Sequence, residues 1–472
     1  MGSGQVTDWQ GKHVTVAGLG VSGIPAAKVL HARGAVVTVV NDGDDARARE
    51  QAAELEALGI TVRLGDGATL PEGTELIVTT PGWKPDKPLF TAARAAGLEI
   101  WGDVELAWRL RGPDAAPWLA VTGTNGKTTT VQMLASILKA AGLRTAAVGN
   151  IGVSLLDVVL GEERYDVLAV ELSSYQLHWA PSLRAHSAAV LNLAPDHLDW
   201  HGSMEAYAAD KGRIYEGNRV ACVYNAADKA TEDLVREADV EEGCRAVGFT
   251  LGTPGPSQLG VVDGLLVDRA FVENRQKNAQ ELAEVSDVNP PAPHNIANAL
   301  AAAALARAFG VPAAAVRDGL RNFTPDAHRI AHVADVAGVA YIDDSKATNT
   351  HAAQASLAAY ESIVWIAGGL AKGATFDELV AGSAKRLRGV VLIGKDRALI
   401  REALVRHAPE VPVVDLDRTD TGAMLAAVQE AQRLATAGDT VLLAPACASM
   451  DMFANYNKRG DAFAQAVREL GA

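Results

Sequence analysis

Short apolar runs alternate with longer, alanine-rich segments of helical spacing along the whole chain, and this alternation restricts the fold more than any other feature. Strand candidates fall at 14–17, 76–79, 119–122, 167–170, 189–193, 363–367, 390–393 and 441–443. Strands that alternate with helices pack as βαβ units, so the class is α/β and the sheets are expected to be largely parallel. Such sheets place their ligands at the carboxyl ends of the strands.

Two turn-rich segments, RGPDAAP at 111–117 and NFTPDAH at 322–328, read as linkers. They divide the chain into three expected domains, 1–112, 113–325 and 326–472. The first is read as a Rossmann-like N-terminal domain, the second as a P-loop ATPase-like central domain, and the third as a Rossmann-like C-terminal domain. A length of 472 residues suits three domains of about 150 residues each. Within the second domain, TPGPS at 253–257 and NPPAP at 289–293 are turns, and a helical run covers 294–309.

Charge and cysteine usage bound the partners. A net charge of −14 repels phosphate backbones, so nucleic acid is not an expected partner, whereas a small anion held by local amides and a few cations is. The three cysteines, Cys222, Cys244 and Cys447, have no CxxC spacing, which fits a reducing compartment without a disulfide framework or a zinc cluster. The opening MGSGQVTDWQGKHVTVAG lacks a basic start followed by an apolar run, and no run approaches about 18 apolar residues. A cytoplasmic protein with no leader and no membrane span is expected.

The strongest local signal is VTGTNGKTTT at 121–130, between a strand and an apolar-periodic helix ending at Gly142. Glycines let the backbone wrap a phosphate, and the helix start offers free N–H groups to it. Lys127 would reach the outer phosphates and Thr128 would face Mg²⁺. The general P-loop pattern is not met, because Val121 stands where its first glycine would be. A purely structural turn is the plain alternative. The strand DVLAVELSS at 166–174 ends in Glu171, a carboxylate placed to hold Mg²⁺ beside such a loop; alone it would read as an exposed strand-end residue. LNLAPDHLDWH at 191–201 crowds Asp196, His197, Asp199 and His201 at another strand end. A zinc site there is a weak reading, an ordinary polar loop is a second, and a role beside the phosphates is preferred.

GLGVSG at 18–23 matches G-x-G-x-x-G, with Asp42 at the end of the following strand. This admits a nicotinamide or flavin enzyme, yet the same turn grips any pyrophosphate, including that of a UDP-sugar. In the third domain DDSKATN (343–349), GGLAKG (368–373) and PACASMDMF (445–453) end strands in polar clusters. Lys346 and Lys372, with hydroxyls from Ser345, Thr348 and Ser449, suit a small dicarboxylate; any one such lysine alone would be a solvated surface group.

Taken together, TGTNGKTT, ELSSYQL, NLAPDHLDWHGSMEAYAADKGRIY, HNIANALAA and the pair His328–Arg329 resemble the Mur ligase family over nearly the whole chain. DSKATN and PACASMDMF look like its D-glutamate-adding members. The DNPR-type motif of the diaminopimelate- or lysine-adding members is not found, and Asn125 stands where the alanine-adding member has histidine. The resemblance implies a peptidoglycan-precursor enzyme that joins D-glutamate to UDP-MurNAc-L-Ala with ATP, through an acyl phosphate and with two Mg²⁺ ions. It implies small-molecule partners only, a monomer, and a third domain that closes over the substrates.

Residue by residue, the resemblance assigns Gly123, Thr124, Asn125, Gly126, Lys127, Thr128 and Thr129, with Asn295, Asn298, Arg329 and Asp344, to ATP. Val21, Ser22, Asp42, Asn150 and His197 go to the UDP substrate. Lys346, Thr348, Lys372, Ser449 and the backbone of Tyr456 go to D-glutamate. Lys127, Glu171, His197 and Lys211 form the catalytic group. Thr128 and Glu171 would serve one Mg²⁺, and His197 with a carbamylated Lys211 the other. Taken alone, Lys211 would be a helix-surface lysine. Two positions depart from the family: Tyr456 is often Phe, and some relatives have Asp at Leu370. Three other readings compete: a folylpolyglutamate synthase-like ligase, a dinucleotide-dependent oxidoreductase, and a non-catalytic nucleotide-binding module.

Overall fold

The structure is a computed structural model that describes residues 8–151, 154–418, 420 and 422–470. Residues 1–7, on which the expectation of a missing leader partly rests, lie outside the described residues. Three sheets carry the chain. The first contains β1 (His13–Ala17), β2 (Val36–Asn41), β3 (Thr61–Leu64), β4 (Leu76–Thr79) and β5 (Glu99–Gly102), in the order β3-β2-β1-β4-β5. All its pairings are parallel. The chain order reverses at β1, so the turn after β1 opens into the crevice between β2 and β4.

The second sheet has nine strands in the order β14-β13-β12-β11-β10-β9-β6-β8-β7. These are β6 (Trp118–Thr122), β7 (Thr145–Gly149), β8 (Val167–Glu171), β9 (Ser187–Val190), β10 (Ala221–Asn225), β11 (Arg245–Phe249), β12 (Gln258–Val262), β13 (Leu265–Asp268) and β14 (Gln280–Glu284). The run from β7 to β12 is parallel, and β13 and β14 close the edge antiparallel. β6 lies between β8 and β9, every residue of it is buried, and helix Lys127–Ala140 covers it with Val131, Leu134, Ile137 and Leu138.

The third sheet has six strands, β15 (Ala331–Val336), β16 (Val339–Asp343), β17 (Ile363–Gly368), β18 (Leu387–Ile393), β19 (Val413–Asp415) and β20 (Thr440–Leu443). Their order is β15-β16-β20-β17-β18-β19, with only the β15–β16 pairing antiparallel. The three polar clusters of this domain follow β16, β17 and β20, which are neighbours.

The chain falls into two compact units. One is Met1–Val288 with Ile296–Phe323, and the other is Asn289–Asn295 with Thr324–Ala472. The first two sheets therefore share one unit. Their seam is buried and specific: the Gly102 N–H donates to Trp179 O at 2.8 Å, Phe90 and Trp179 pack with ring centroids 5.0 Å apart, and the Ser182 N–H donates to Glu105 Oε2 at 3.0 Å. The described residues include no helix long and apolar enough to cross a membrane.

Seven of the eight strand candidates overlap the observed strands closely. The reading at 189–193 runs late, because β9 ends at Val190 and the next residues leave the sheet to hold the phosphate loop. Trp365 is the largest anchor of the third sheet, fully buried, with its indole N–H donating to Ala444 O at 2.7 Å. Trp365→Ala is expected to cost about 3–5 kcal/mol through the cavity and the orphaned carbonyl. Urea unfolding monitored by circular dichroism checks this, and a midpoint shift of less than about 0.5 M would contradict it.

Candidate active site

The loop between β6 and helix Lys127–Ala140 is shaped by Gly126, which has φ +84°. An ideal Cβ there would lie 2.4 Å from Asn298 Oδ1, so only glycine lets Asn298 pack against the loop. Asn192 clamps the same loop: its Oδ1 accepts the Asn125 N–H at 2.9 Å and its Nδ2 donates to Asn125 O at 3.1 Å. Thr124 Oγ1 is 2.9 Å from Tyr207 Oη and accepts the Ala194 N–H at 3.0 Å. Thr128 and Thr129 are buried in the first helical turn, where backbone N–H groups lack intrahelical acceptors. This is the arrangement of an anion site.

Two amines meet at this loop. Lys127 Nζ donates to Gly123 O and Thr124 O, both at 2.9 Å. Lys211 Nζ donates to Gly123 O at 2.9 Å and to Thr122 Oγ1 at 3.4 Å, over the Tyr207 ring. Lys211 is only 2% exposed, which corrects the surface-lysine reading: its helix, Met204–Gly212, turns this residue inward. Burial first, and then the charge of Lys127, drive its pKa well below the usual lysine value.

Glu171 ends β8, paired with Val121 of β6, and is 2% exposed rather than an exposed strand-end carboxylate. Asn150 holds it, with its N–H on Glu171 O at 2.9 Å and Nδ2 on Oε1 at 3.0 Å. Gly149, at φ +106°, permits that turn, since a Cβ would lie 2.2 Å from Glu171 O. Glu171 Oε2 is buried with no hydrogen-bond partner among the described residues. A buried carboxylate oxygen left open beside a phosphate loop, with a threonine hydroxyl in the adjoining helical turn, is a donor set that fits a hard cation such as Mg²⁺.

His197 sits at φ +54° and takes the side chain of Asp196 on its own N–H at 3.0 Å. Burial, together with the charges of Lys127 and Lys211, lowers its pKa against the opposing pull of Asp196 and Asp199. His201 does not join a metal cluster, because its ring turns to Asp210 (2.9 Å) and Ser174 (3.0 Å). Among the described residues no group of three or more His, Cys, Asp or Glu is arranged to hold a metal ion, and nothing in this cluster favours zinc over a role beside the phosphates. Asp210 itself is raised by burial, but hydrogen bonds from His178 and His201 hold its pKa down at about 2.

In the first sheet, Val21 is 89% exposed and Ser22 precedes helix Gly23–Ala32 at the turn after β1. Asp42, beyond β2, receives Lys87 Nζ at 2.5 Å, and that ammonium lies 4.6 Å from the Trp83 ring centroid. The loop after β4 reaches the central domain, with Lys84 Nζ donating to Asp199 O at 2.6 Å.

The second unit gathers the remaining residues. Asp344 is buried; burial raises its pKa to about 6, while Ser356 and Arg329 act against that rise. Its Oδ1 accepts the Ile330 N–H at 3.3 Å. Lys346 Nζ lies 4.0 Å from the Tyr456 ring centroid, and the Thr348 N–H donates to Lys346 O at 2.8 Å. Tyr456 opens helix Tyr456–Leu470, where the amide has no intrahelical acceptor. Leu370 and Ala448 exchange backbone bonds of 2.9 and 3.0 Å, which join the loop carrying Lys372 to the loop carrying Ser449. Leu370 contributes its backbone there, so Asp could replace it without loss of the bridge. Asn295 donates to Pro290 O at 3.2 Å.

Sequence reasoning missed Asn192, Tyr207, Asp210 and Arg459. Arg459 is buried and ties the third-domain loops together, donating to Ser345 O at 2.8 Å and Cys447 O at 3.0 Å. Asn192 and Asp210 lay inside segments already singled out; Arg459 had no local signal.

A phosphate loop at the switch point of a parallel sheet, with a buried carboxylate and two amines beside it, defines a nucleotide-binding α/β protein. Models of the Mur ligase MurD-like N-terminal domain, the Mur ligase middle domain and the Mur ligase glutamate ligase domain match residues 12–102, 121–306 and 328–447. A curated protein of Streptomyces avermitilis is 90% identical over 99% of this chain and 100% of its own length, and one of Thermobifida fusca is 60% identical over 98% and 99%. Both bear the name UDP-N-acetylmuramoylalanine--D-glutamate ligase. The MurF ligase of Thermotoga maritima, solved with ADP, shares the fold with a TM-score of 0.57 at 15% identity, covering 98% of this chain and 96% of that one. The chain belongs to the Mur ligase family.

Asn192→Asp would set a carboxylate oxygen against Asn125 O in place of a donor. The KM for ATP is expected to rise about tenfold, equivalent to about 1.4 kcal/mol. Steady-state titration of ATP checks this, and a KM within twofold of wild type would show that Asn192 does not hold the loop.

Proposed function

We propose that this chain is an ATP-dependent ligase that adds D-glutamate to UDP-N-acetylmuramoyl-L-alanine during peptidoglycan precursor synthesis. The carrying observation is the phosphate loop flanked by Lys127, Lys211 and the open carboxylate oxygen of Glu171. The names of the full-length relatives supply the acceptor and the amino acid. The work needs one copy of the chain and small-molecule substrates, and it belongs in the cytoplasm, where ATP and the UDP-linked acceptor are made.

A carboxylate is a poor electrophile, so the γ-phosphoryl group of ATP first moves to the acceptor carboxylate, giving an acyl phosphate and ADP. The D-glutamate amine then attacks the carbonyl carbon. The tetrahedral intermediate expels inorganic phosphate and loses a proton, leaving the amide. Negative charge spreads over phosphoryl oxygens throughout, so Lys127 and the N–H groups of Gly126 to Thr129 act where that charge grows. Gly123, Thr124 and Asn125 complete the cradle, and Asn295, Asn298, Arg329 and Asp344 serve the nucleotide. The turn at Val21 and Ser22 with Asp42 binds the uridine diphosphate, and Asn150 and His197 orient its reacting end. Lys346, Thr348, Lys372, Ser449 and the Tyr456 amide bind the D-glutamate carboxylates and so aim its amine.

Bound Mg²⁺, expected as two ions, would neutralise phosphate charge. Thr128 and Glu171 would hold one, and His197 with a carbamylated Lys211 the other. Burial of Lys211 favours the free amine that carbamate formation requires.

Phosphate release with ATP, UDP-MurNAc-L-Ala and a panel of amino acids tests the reading. D-glutamate is expected to support turnover and L-glutamate not, since a fixed carboxylate clamp misplaces the amine of the wrong isomer. Lys127→Ala is expected to lose more than about tenfold in kcat, over 1.4 kcal/mol, with its melting curve unchanged. Comparable turnover of L-glutamate, or a Lys127→Ala enzyme above a tenth of wild-type kcat, would overturn it. In the same assay Lys211→Ala is expected to be inactive and to regain turnover with added acetate, a stand-in for the carbamate. Full activity of that variant without acetate would remove the carbamate role.

A further inference from the structure

Helix Met204–Gly212 brings Lys211 to the phosphate loop, and the residue before it faces a different set of partners. Asp210 is buried, with both carboxylate oxygens 2.9 Å from His178 Nδ1 and Oδ2 also 2.9 Å from His201 Nδ1. Arg213 Nε lies 3.1 Å from Oδ1. The His201 side chain is completely buried, and its second nitrogen is 3.0 Å from Ser174 Oγ. Ser174 opens helix Ser174–His178, three residues beyond Glu171. The Tyr175 ring stacks on His201 at 5.5 Å and 5°, and it also packs against Trp200 and His197, with centroids 4.8 and 4.9 Å away.

Replacing a buried ionic network of this kind with apolar side chains is often neutral or stabilising, so stability alone does not account for it. A fully bonded polar network does fix one arrangement of the elements it joins. Three routes from this network end next to groups of the proposed site, while His178 and Arg213 complete the bonding of Asp210. One leads through His201 to Ser174 in the segment after Glu171, one through Tyr175 to His197, and one along the helix to Lys211.

We propose that Asp210 is a positioning residue for the ligation chemistry, setting the His197 ring through His201 and Tyr175 and setting Lys211 against Gly123 O through its own helix. This inference rests on the ligase reading above. It predicts a loss in the chemical step rather than in ATP binding, because the contacts of Asn192 and Asn298 with the loop do not involve the network.

The test uses the full chain and the phosphate-release assay with ATP, UDP-MurNAc-L-Ala and D-glutamate. Asp210→Asn is expected to lower kcat by about 10- to 100-fold while the KM for ATP stays within about twofold. Ser174→Ala leaves the Asp210 ion pairs in place and cuts only the far link of His201; it is expected to lower kcat in the same sense and decides the matter if Asp210→Asn does not fold. Asp268→Asn is the control. It removes another buried carboxylate, paired with Arg307 at 2.9 Å, and is expected to lower the melting temperature without changing kcat. A folded Asp210→Asn within twofold of wild-type kcat, or in its absence such a Ser174→Ala, would overturn the proposal. So would a kcat loss in Asp210→Asn matched by Asp268→Asn at equal loss of melting temperature. A wild-type chain that releases no phosphate with this acceptor removes the ligase reading and the Asp210 role together, whereas an active wild type with an unaffected Asp210→Asn removes only the latter.

Discussion

The carbonyl of Gly123 receives two lysine side chains at 2.9 Å, one from its own loop and one from a helix almost ninety residues further on. Burial, and after it the charge of Lys127 at the same point, push Lys211 toward the neutral amine. Much of the surrounding architecture serves this convergence. β6 delivers the loop, Asn192 and Asn298 fix its shape, and Tyr207 packs beneath the Lys211 amine while reaching Thr124. Glu171 completes the balance by bringing a carboxylate to the same strand ends.

Strand order makes that meeting possible. With β6 between β8 and β9, three carboxyl ends stand side by side, and the segments leaving them carry the loop, Glu171 and the 191–201 cluster. The third sheet repeats the principle with β16, β20 and β17, and its three polar clusters are joined by Arg459 and by the Leu370–Ala448 bridge.

Most of the fold was legible in the sequence because buried parallel strands are short continuous apolar runs, hard to disguise between helical segments. The run from β10 to β14 was not read: the edge strand β14, QELAE, is half-exposed and carries little apolar signal, and interior strands such as ACVYN and RAVGF mix apolar with polar or small residues. The phosphate loop was legible because its backbone demands glycine at fixed places. Lys211 was misread from its local context because a short helix with two polar faces does not say which one is buried. Asp210 and Arg459 escaped for a related reason: their partners lie 9, 32 and more than 100 residues away, and a pairing at that range leaves no local spacing to recognise.

The seam between the first two sheets has a consequence for ligands. Gly102, Trp179, Phe90 and Glu105 tie the pyrophosphate-type turn after β1 and the phosphate loop after β6 into a single compact unit. The distance between the two turns proposed to bind anions is therefore set within one unit. A two-headed molecule with one anionic group for each site would have its second attachment made nearly intramolecular, and the gain would depend on a linker whose length matches that fixed span. Because the span is built from main-chain and aromatic contacts rather than from surface charges, it would vary little with ionic strength.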